Sequence, residues 1–170
     1  GAYELHKNMT VRLIRSLSYL QADIQIWTDV SIENRFFKGL ATPVMKQVGE
    51  GLGEKMSNAI IQGLATYKKV ALVGTDLPEL DSSYLANAFE QLERFNIVIG
   101  PTLDGGFGLI AVKKFDSSIF DGLVWGGPGV FRDLIRNIGK SNLDYYLAPE
   151  LWDVDVPADF ARYQKWLRKS

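Results

Sequence analysis

The sequence predicts a single α/β domain with a mostly parallel sheet and helices on both faces. Two segments, residues 69–73 and 96–100, are nearly continuous apolar runs, which are typical of strands buried on both faces. Helical patterns alternate with these and other strand-like runs, an order that favours parallel strands joined by helices. No repeat, low-complexity tract or linker interrupts the 170 residues, so one compact domain is expected.

Two helices and two short strands are predicted ahead of the first buried strand. Residues 2–20 carry apolar side chains at helical spacing, which predicts an amphipathic helix. Residues 22–28 and 44–48 suit short strands. The glycine-rich residues 49–53 form a loop that leads into a second helix over residues 54–66, and the strand at residues 69–73 follows.

The second half of the chain adds further strands and helices. Asp81 is the expected N-cap of a helix that ends at about Arg94. The strands at residues 96–100 and 107–112 are joined by a short link, which indicates an antiparallel pair. The remaining elements are a helix over residues 128–138, a strand within residues 142–148 and a final helix that begins near Pro157.

Composition and charge exclude several classes of function. The formal net charge of −1 argues against nucleic-acid or anionic-membrane partners, which require a concentrated positive field. There is no cysteine, and His6, interpreted as a partly exposed helix residue, is the only histidine. Catalysis would therefore use carboxylates, Lys or Arg, hydroxyls and a metal. No membrane-spanning or signal-peptide pattern is present, which favours a cytoplasmic protein.

Asp76 is the first candidate functional residue. It follows the buried strand through Gly74 and Thr75, and Pro78 prevents the strand from continuing. Ligands of open α/β sheets bind beyond the carboxyl ends of such strands. A carboxylate at this place suits Mg²⁺ or Mn²⁺ held against a diphosphate, with Thr75 beside the substrate. The alternative is an Asp that satisfies local backbone amides in a turn.

Two glycine-rich segments are candidate substrate contacts. Asp104-Gly105 is a strong signal for a tight turn that needs positive φ, yet Gly106 adds a second glycine that would let a substrate approach the backbone. Trp125 stands beside glycines before a helix start. It is either a core residue or an aromatic surface that stacks on a sugar or base.

Two further segments are weaker candidates. Asp153 and Asp155 lie in an extended segment. The expectation is that their side chains point to opposite faces and that only one of them reaches a site. Asp155 is the candidate to join Asp76 on a metal; alternatively, either Asp caps the last helix. Gly53 and Lys55 belong to a loop that opens a helix, where amides and an ammonium group could meet a phosphate.

The order of these segments resembles a known bacterial family. GEGLGEKM, VALVGTDLPEL, VIGPTLDGGFGLI, VWGGPGVF and DVDVPADF together are similar to the radical-SAM/selenodomain-associated transferases. These are nucleotide-diphospho-sugar transferase-like proteins with the GT-A fold, a three-layer α/β/α sandwich. They are more distantly similar to the guanylyltransferases of molybdenum-cofactor and 2-phospho-lactate metabolism. The resemblance extends over residues 3–160, and GTDLP followed by LDGGF is its most specific part.

The resemblance implies roles for several residues. Asp76 would contact the metal or the nucleotide phosphates, and Asp155 would supply a second carboxylate near the metal. Asp104, Gly105 and Gly106 would line the substrate side of the cleft. Lys55 stands where the family usually has Arg after Gly-Glu, which keeps the positive charge without the bidentate guanidinium.

The resemblance also implies a departure at the start of the chain. Family members begin with a strand and a loop rich in Gly and Lys or Arg, which would grip the nucleotide phosphates. Here the sequence starts, with Gly1, at the helix that follows them. The expectation is a single domain over residues 1–170 that lacks this strand and loop, through an incomplete or processed chain rather than a natural deletion.

The sequence therefore predicts a metal-dependent, glycosyltransferase-like enzyme that uses a nucleotide-diphospho-sugar. Asp76 and Asp155 would hold Mg²⁺ or Mn²⁺, and Asp104 would contact the acceptor or act as a general base. The partners would be a nucleotide or nucleotide-sugar and a small-molecule acceptor, and a homodimer is compatible with the sequence. The alternatives are a nucleotidylyltransferase that uses an NTP and a degenerate GT-A-like domain that only binds a ligand or partner.

Overall fold

The computed structural model describes all 170 residues, which form six α-helices, six β-strands and one 3₁₀-helix. The elements in chain order are α1 (Ala2–Leu17), β1 (Ile26–Thr28), α2 (Arg35–Lys38), β2 (Val44–Lys46), α3 (Leu52–Thr66), β3 (Val70–Val73), α4 (Ser82–Gln91), β4 (Ile97–Pro101), β5 (Phe107–Val112), the 3₁₀-helix Ser117–Phe120, α5 (Val130–Gly139), β6 (Tyr145–Leu147) and α6 (Pro157–Leu167). None of the helices is both long and apolar enough to cross a membrane.

The main sheet has four strands in the order β3-β5-β4-β6. Strand β5 is antiparallel to both of its neighbours, β3 and β4, while β6 pairs parallel with β4. Three of the four strands therefore run in one direction and β5 runs in the other. The predicted antiparallel pair of residues 96–100 and 107–112 is confirmed as β4 and β5.

Strands β1 and β2 form a separate parallel sheet, in which Ile26 is level with Val44 and Thr28 with Lys46. The main sheet ends at β3, and no strand joins β3 to β1. The molecule therefore contains one wide sheet and one narrow sheet.

The hydrophobic core has two layers, one on each face of the main sheet. Along β5, Leu109 and Ala111 belong to one layer, whereas Ile110 and Val112 belong to the other, as the alternation of strand side chains requires. Buried residues of α1 and α4 complete the first layer, and those of α3 and α5 complete the second. This arrangement is the predicted three-layer α/β/α sandwich.

Helix α6 packs at one end of the sandwich through a small third cluster. This cluster consists of Met9 of α1 together with Trp152, Val154 and Tyr163. The guanidinium of Arg162 lies 4.0 Å from the centre of the Trp152 ring, a distance at which cation–π attraction operates. The cluster fixes the segment before α6 against α1.

The predicted elements are all present, with shifted ends. The strand expected over residues 22–28 is only Ile26–Thr28, and the helix expected to end at Arg94 ends at Gln91. Helix α2 and the 3₁₀-helix were not predicted; each begins at an Asn or Asp whose side chain accepts a backbone hydrogen bond. All four residues of β3 are only half-buried, although their sequence is typical of a fully buried strand.

Candidate active site

Four aspartates gather beyond the ends of β3 and β4. Asp76 follows β3, and Asp104 lies in the turn between β4 and β5, which pairs with β3. A backbone bridge between Thr102 and Leu151 brings the segment that carries Asp153 and Asp155 alongside that turn. The N–H of Val154 donates to the backbone carbonyl of Asp76 (2.9 Å) and ties this segment to the end of β3.

Three of these carboxylates form a compact group. One oxygen from each of Asp104, Asp153 and Asp155 lies within 4.8 Å of the others, with Asp153 half-buried and the other two exposed. Carboxylate oxygens are the ligands that Mg²⁺ and Mn²⁺ prefer. The donor set therefore fits a hard divalent cation.

The turn that carries Asp104 is fixed by hydrogen bonds and by its glycine. Thr102 Oγ1 (2.5 Å) and the N–H of Gly106 (3.0 Å) both donate to Asp104 Oδ1. Gly105 has a φ of +88°, and a Cβ at this residue would lie 2.1 Å from the carbonyl oxygen of Pro128. The tight turn predicted for Asp104-Gly105 is present, and its close packing against Pro128 requires a glycine at residue 105.

The pKa values of the carboxyl groups are shifted in different directions. Burial, followed by the charge of Asp104, raises the pKa of Asp153 to about 6. Burial also raises the pKa of Asp76. Burial has the same tendency at Asp104, but hydrogen bonds from Thr102 and Gly106 outweigh it, so the pKa of Asp104 is lowered. The group is therefore strongly anionic at neutral pH, which favours a bound cation.

The carboxylates stand at one end of a cavity of about 460 Å³. Its wall includes Asp76, Asp104 and Asp153 together with Thr75 and Gly106. Much of the remaining wall is apolar and comes from α1, the segment leading into β1, α3 and β3. The cavity thus combines a charged end with a larger apolar body.

Lys55 of α3 is the only cationic side chain in the cavity wall. Its Nζ lies 3.9 Å from a carboxylate oxygen of Asp29, and its side chain is 25% exposed. Because the ion pair is long and partly solvated, the ammonium group remains accessible to an anion in the cavity. Two residues earlier, a Cβ at Gly53 would lie 3.2 Å from Trp125 Nε1, so Gly53 allows α3 to approach the Trp125 loop closely.

Trp125 belongs both to the core and to the cavity wall. Its ring centre lies 5.9 Å from that of Phe107 and 5.6 Å from that of Phe120, the distances of an aromatic cluster. The same side chain lines the cavity. The two interpretations left open by the sequence are therefore compatible with each other.

The expectation that Asp153 and Asp155 point to opposite faces was wrong. Successive side chains of an extended segment alternate, so residues two apart lie on the same face. Asp153 and Asp155 accordingly both meet Asp104. Asp153 is the residue that sequence reasoning missed. Asp76 is not part of the compact group, although its charge contributes to the raised pKa of Asp153. The signal that was available was the pair of aspartates two residues apart after a strand-like segment.

Comparison with known protein families identifies the family of this chain. Residues 13–127, more than half of the sequence, match the family described as "Uncharacterized protein conserved in bacteria (DUF2064)". The chain belongs to the DUF2064 family. No curated protein matches the sequence of this DUF2064 protein.

Solved structures establish the fold type. A candidate nucleotide-diphospho-sugar transferase from Desulfovibrio desulfuricans G20 superposes with a TM-score of 0.82 at 28% identity, over 90% of this chain and 70% of that one. Glucosyl-3-phosphoglycerate synthase from Mycobacterium tuberculosis, solved with Mn²⁺, UDP and phosphoglyceric acid, superposes with a TM-score of 0.58 at 14% identity, over 92% and 70%. The DUF2064 protein therefore has the GT-A type of fold found in nucleotide-diphospho-sugar transferases. The more specific resemblances, to radical-SAM-associated transferases and to guanylyltransferases, stay predictions.

Proposed function

We propose that this DUF2064 protein is a divalent-metal-dependent glycosyltransferase that uses a nucleotide-diphospho-sugar donor. The observation that carries the proposal is the group of Asp104, Asp153 and Asp155, of which Asp104 and Asp153 line the cavity. A set of three anionic oxygens beside a cavity suits a cation that is shared with a diphosphate. The fold supports the choice of donor, since a similar fold holds UDP and Mn²⁺ in the mycobacterial synthase.

The carboxylates would hold Mg²⁺ or Mn²⁺. Asp155, predicted from the sequence, and Asp153, found in the structure, would be ligands together with Asp104. When bound, the ion would offset the charge of the diphosphate and assist its departure. The lowered pKa of Asp104 suits a ligand better than a general base, because a base must accept a proton near the working pH.

Other residues would bind and orient the donor. Asp76 lies at the end of β3 in the cavity wall, where it would contact the metal or the nucleotide. Lys55 would place its ammonium group against a phosphate, and Thr75 would donate a hydroxyl hydrogen bond. Trp125 would present its face to the sugar or base, while Gly53, Gly105 and Gly106 keep the backbone close to the ligand.

Thermal unfolding combined with product analysis tests the proposal. The protein would be heated with UDP- and GDP-sugars, nucleoside diphosphates and NTPs, each with and without Mn²⁺. A ligand at a hundred times its Kd adds about 2.7 kcal/mol, or a Tm shift of about 5–10 °C for a domain of this size. A Mn²⁺-dependent shift with a nucleotide-sugar, lost in Asp153→Asn and kept in the exposed control Glu90→Gln, is the expected result.

The products separate the alternatives. Release of a nucleoside diphosphate from the nucleotide-sugar supports glycosyl transfer. Release of pyrophosphate from an NTP would replace the proposal with nucleotidylyl transfer. Metal-independent binding without turnover, equal in Asp153→Asn, would instead identify a binding domain.

A further inference from the structure

A smaller pocket, of about 390 Å³, adjoins the cavity that holds the carboxylates. Its wall comes from α1, from residues 75–81 and from α6, and we call it the Arg12 pocket. Leu13, Thr75 and Leu77 line both the pocket and the cavity, so the two share part of their walls. The proposed glycosyl transfer assigns no role to the Arg12 pocket.

Arg12 of α1 is the cationic side chain of this pocket. Every other arginine of the chain is exposed, whereas Arg12 is half-buried. It takes part in none of the ion pairs of the structure, and its Nη1 is buried without a hydrogen-bond partner. Burial of a cation is unfavourable unless a neighbouring group offsets its charge. The fold therefore buries much of this charge and supplies no counter-charge for it.

An aromatic ring holds the guanidinium of Arg12 in place. Its central carbon lies 4.2 Å from the centre of the Trp166 ring, a distance at which cation–π attraction operates. The attraction positions the guanidinium without neutralising it, because the indole carries no net charge. The positive charge is shared over the whole group, so an anion on any of its N–H groups would offset it. A guanidinium can donate to two oxygens of one carboxylate or phosphate.

Two acidic side chains also line the Arg12 pocket, and neither neutralises Arg12. Glu79 and Asp81 are both exposed, and neither forms an ion pair with the guanidinium. Asp81 is already engaged as the N-cap of α4, where it accepts from the N–H of Tyr84 (2.9 Å). Because charges that are exposed to water are screened by salt, these carboxylates weaken the binding of an anion without preventing it.

The rest of the pocket wall combines a hydroxyl donor with apolar surface. Met9 and Ser16 lie three residues before and four residues after Arg12, which places them on the same face of α1. Ser16 Oγ accepts from the N–H of Ser82 (3.3 Å), so its own O–H is left to donate to a ligand. Tyr163 of α6 adds aromatic surface. The wall thus offers a cation and a hydroxyl beside an apolar lining.

We infer that the Arg12 pocket binds a small anion that has an apolar body and a carboxylate or phosphate group. Arg12 would hold the anionic group, helped by the hydroxyl of Ser16. The apolar body would pack against the aromatic side chains of α6. The volume of the pocket is within the range of about 300–1,000 Å³ that is typical of small-molecule sites. The inference does not depend on the proposed glycosyl transfer, because it uses none of the carboxylates that would hold the metal.

An NMR titration of the indole N–H groups tests the inference. Trp166 lines the Arg12 pocket, whereas Trp27 and Trp125 line the cavity, so the resonances that shift identify the space that is occupied. The probes are benzoate and phenyl phosphate, with benzyl alcohol as the neutral control. At least one anion is expected to give a saturable shift of the Trp166 indole where benzyl alcohol gives none. The anion that binds more tightly identifies the ligand as a carboxylate or a phosphate.

Substitutions separate the role of Arg12 from that of positive charge in general. Arg12→Met keeps a long side chain but removes the charge, so the affinity for the anion is expected to fall at least about tenfold. Arg12→Lys keeps the charge without the planar fork, and an intermediate loss is expected. Arg15→Met removes an exposed charge from the same helix and is the matched control, with unchanged affinity.

Thermal unfolding distinguishes a ligand site from a structural arginine. In buffer without these anions, Arg12→Met removes a buried charge that has no partner, so Tm is expected to stay unchanged or to rise. A saturating anion is expected to raise the Tm of the unmodified protein, because it binds only the folded state. The same anion should leave the Tm of Arg12→Met unchanged.

Several results would overturn the inference. Shifts confined to Trp27 and Trp125 would place the anion in the cavity, and no saturable shift with either anion would leave the pocket without a ligand of this class. Equal affinity in Arg12→Met and Arg15→Met would show that Arg12 does not hold the anion. A fall of several degrees in the Tm of anion-free Arg12→Met would assign Arg12 a structural role. No measurement requires a metal or a nucleotide-sugar, so failure here is distinguishable from failure of the proposed function.

Discussion

The two ends of the cavity are built in different ways. At the charged end, Asp104 accepts two hydrogen bonds within its own turn, and a backbone hydrogen bond from Val154 fixes the segment of Asp153 and Asp155 against Asp76. At the apolar end, β1 and β3 each have one edge without a partner strand. The comparison teaches that the carboxylates are positioned by local hydrogen bonds and by packing against α1, whereas the apolar end is bounded by strand edges that no other strand covers.

The charged end is most easily disrupted at Gly105. Gly105→Ala is expected to reduce the free energy of unfolding by about 3 kcal/mol, since it combines backbone strain with a steric clash. The φ of +88° disfavours any Cβ, and the new atom would lie 2.1 Å from the carbonyl oxygen of Pro128. Denaturant unfolding measures the loss. In the control Gly122→Ala, φ is +69° with nothing within 4 Å, so strain acts alone and the loss is expected to be about 1 kcal/mol. Equal losses would show that Pro128 moves freely.

The carboxylate group is expected to lose metal affinity when one member is neutralised. Asp153→Asn removes a half-buried anionic oxygen from the three that meet. We expect Mn²⁺ affinity to fall at least about tenfold, which corresponds to 1.4 kcal/mol, as measured by titration calorimetry. Glu90→Gln, on the exposed surface of α4, should bind Mn²⁺ like the unmodified protein. Unchanged affinity in Asp153→Asn would place the metal elsewhere.

Both the Mn²⁺ affinity and the stability of the charged end are expected to depend on pH through Asp153. Asp153 has a pKa of about 6 and must lose its proton to bind a cation, so Mn²⁺ affinity should rise as the pH rises through 6. Without metal the effect on stability has the opposite sign. A carboxyl whose pKa is raised in the folded state contributes stability below its unfolded pKa of 3.8, and this contribution is lost as the pH approaches 6. Titrations from pH 4.5 to 7.5 should show both trends, and Asp153→Asn should flatten both.

The smallest change in stability is expected at the other side of the cavity. Lys55→Met removes a partly solvated ion pair with Asp29, worth less than about 1 kcal/mol, so Tm should hardly change. The affinity for a nucleoside diphosphate should nevertheless fall, because the wall loses its cation. Asp29→Asn serves as the control, since it breaks the pair but keeps the ammonium group. A similar loss of affinity in both variants would indicate that the pair, not the free amine, shapes the site.

Where a part of the site is formed by one segment, the sequence of that segment was enough to predict it. Asp76 was predicted because an apolar strand ends just before it, and it does lie in the cavity wall. Gly105 was predicted because the turn requires positive φ, and its φ is +88°. The spacing of two residues is enough to put Asp153 and Asp155 on one face, although the expectation had placed them on opposite faces. Their meeting with Asp104 depends on the bridge between Thr102 and Leu151, residues far apart in the sequence. The open edge of β3 was likewise beyond prediction from its own residues. Pairing is a property of the neighbours, and the sequence of β3 describes an interior strand.

The hydrogen bond between Val154 and Asp76 has an evolutionary consequence. The acceptor is the backbone carbonyl of residue 76, which every amino acid provides, so the Asp153–Asp155 segment stays in place whatever side chain residue 76 carries. The shape of the site therefore does not depend on which side chain residue 76 carries. A lineage could replace Asp76 and keep the same scaffold, and a different reaction, or none, could then occupy an unaltered cleft.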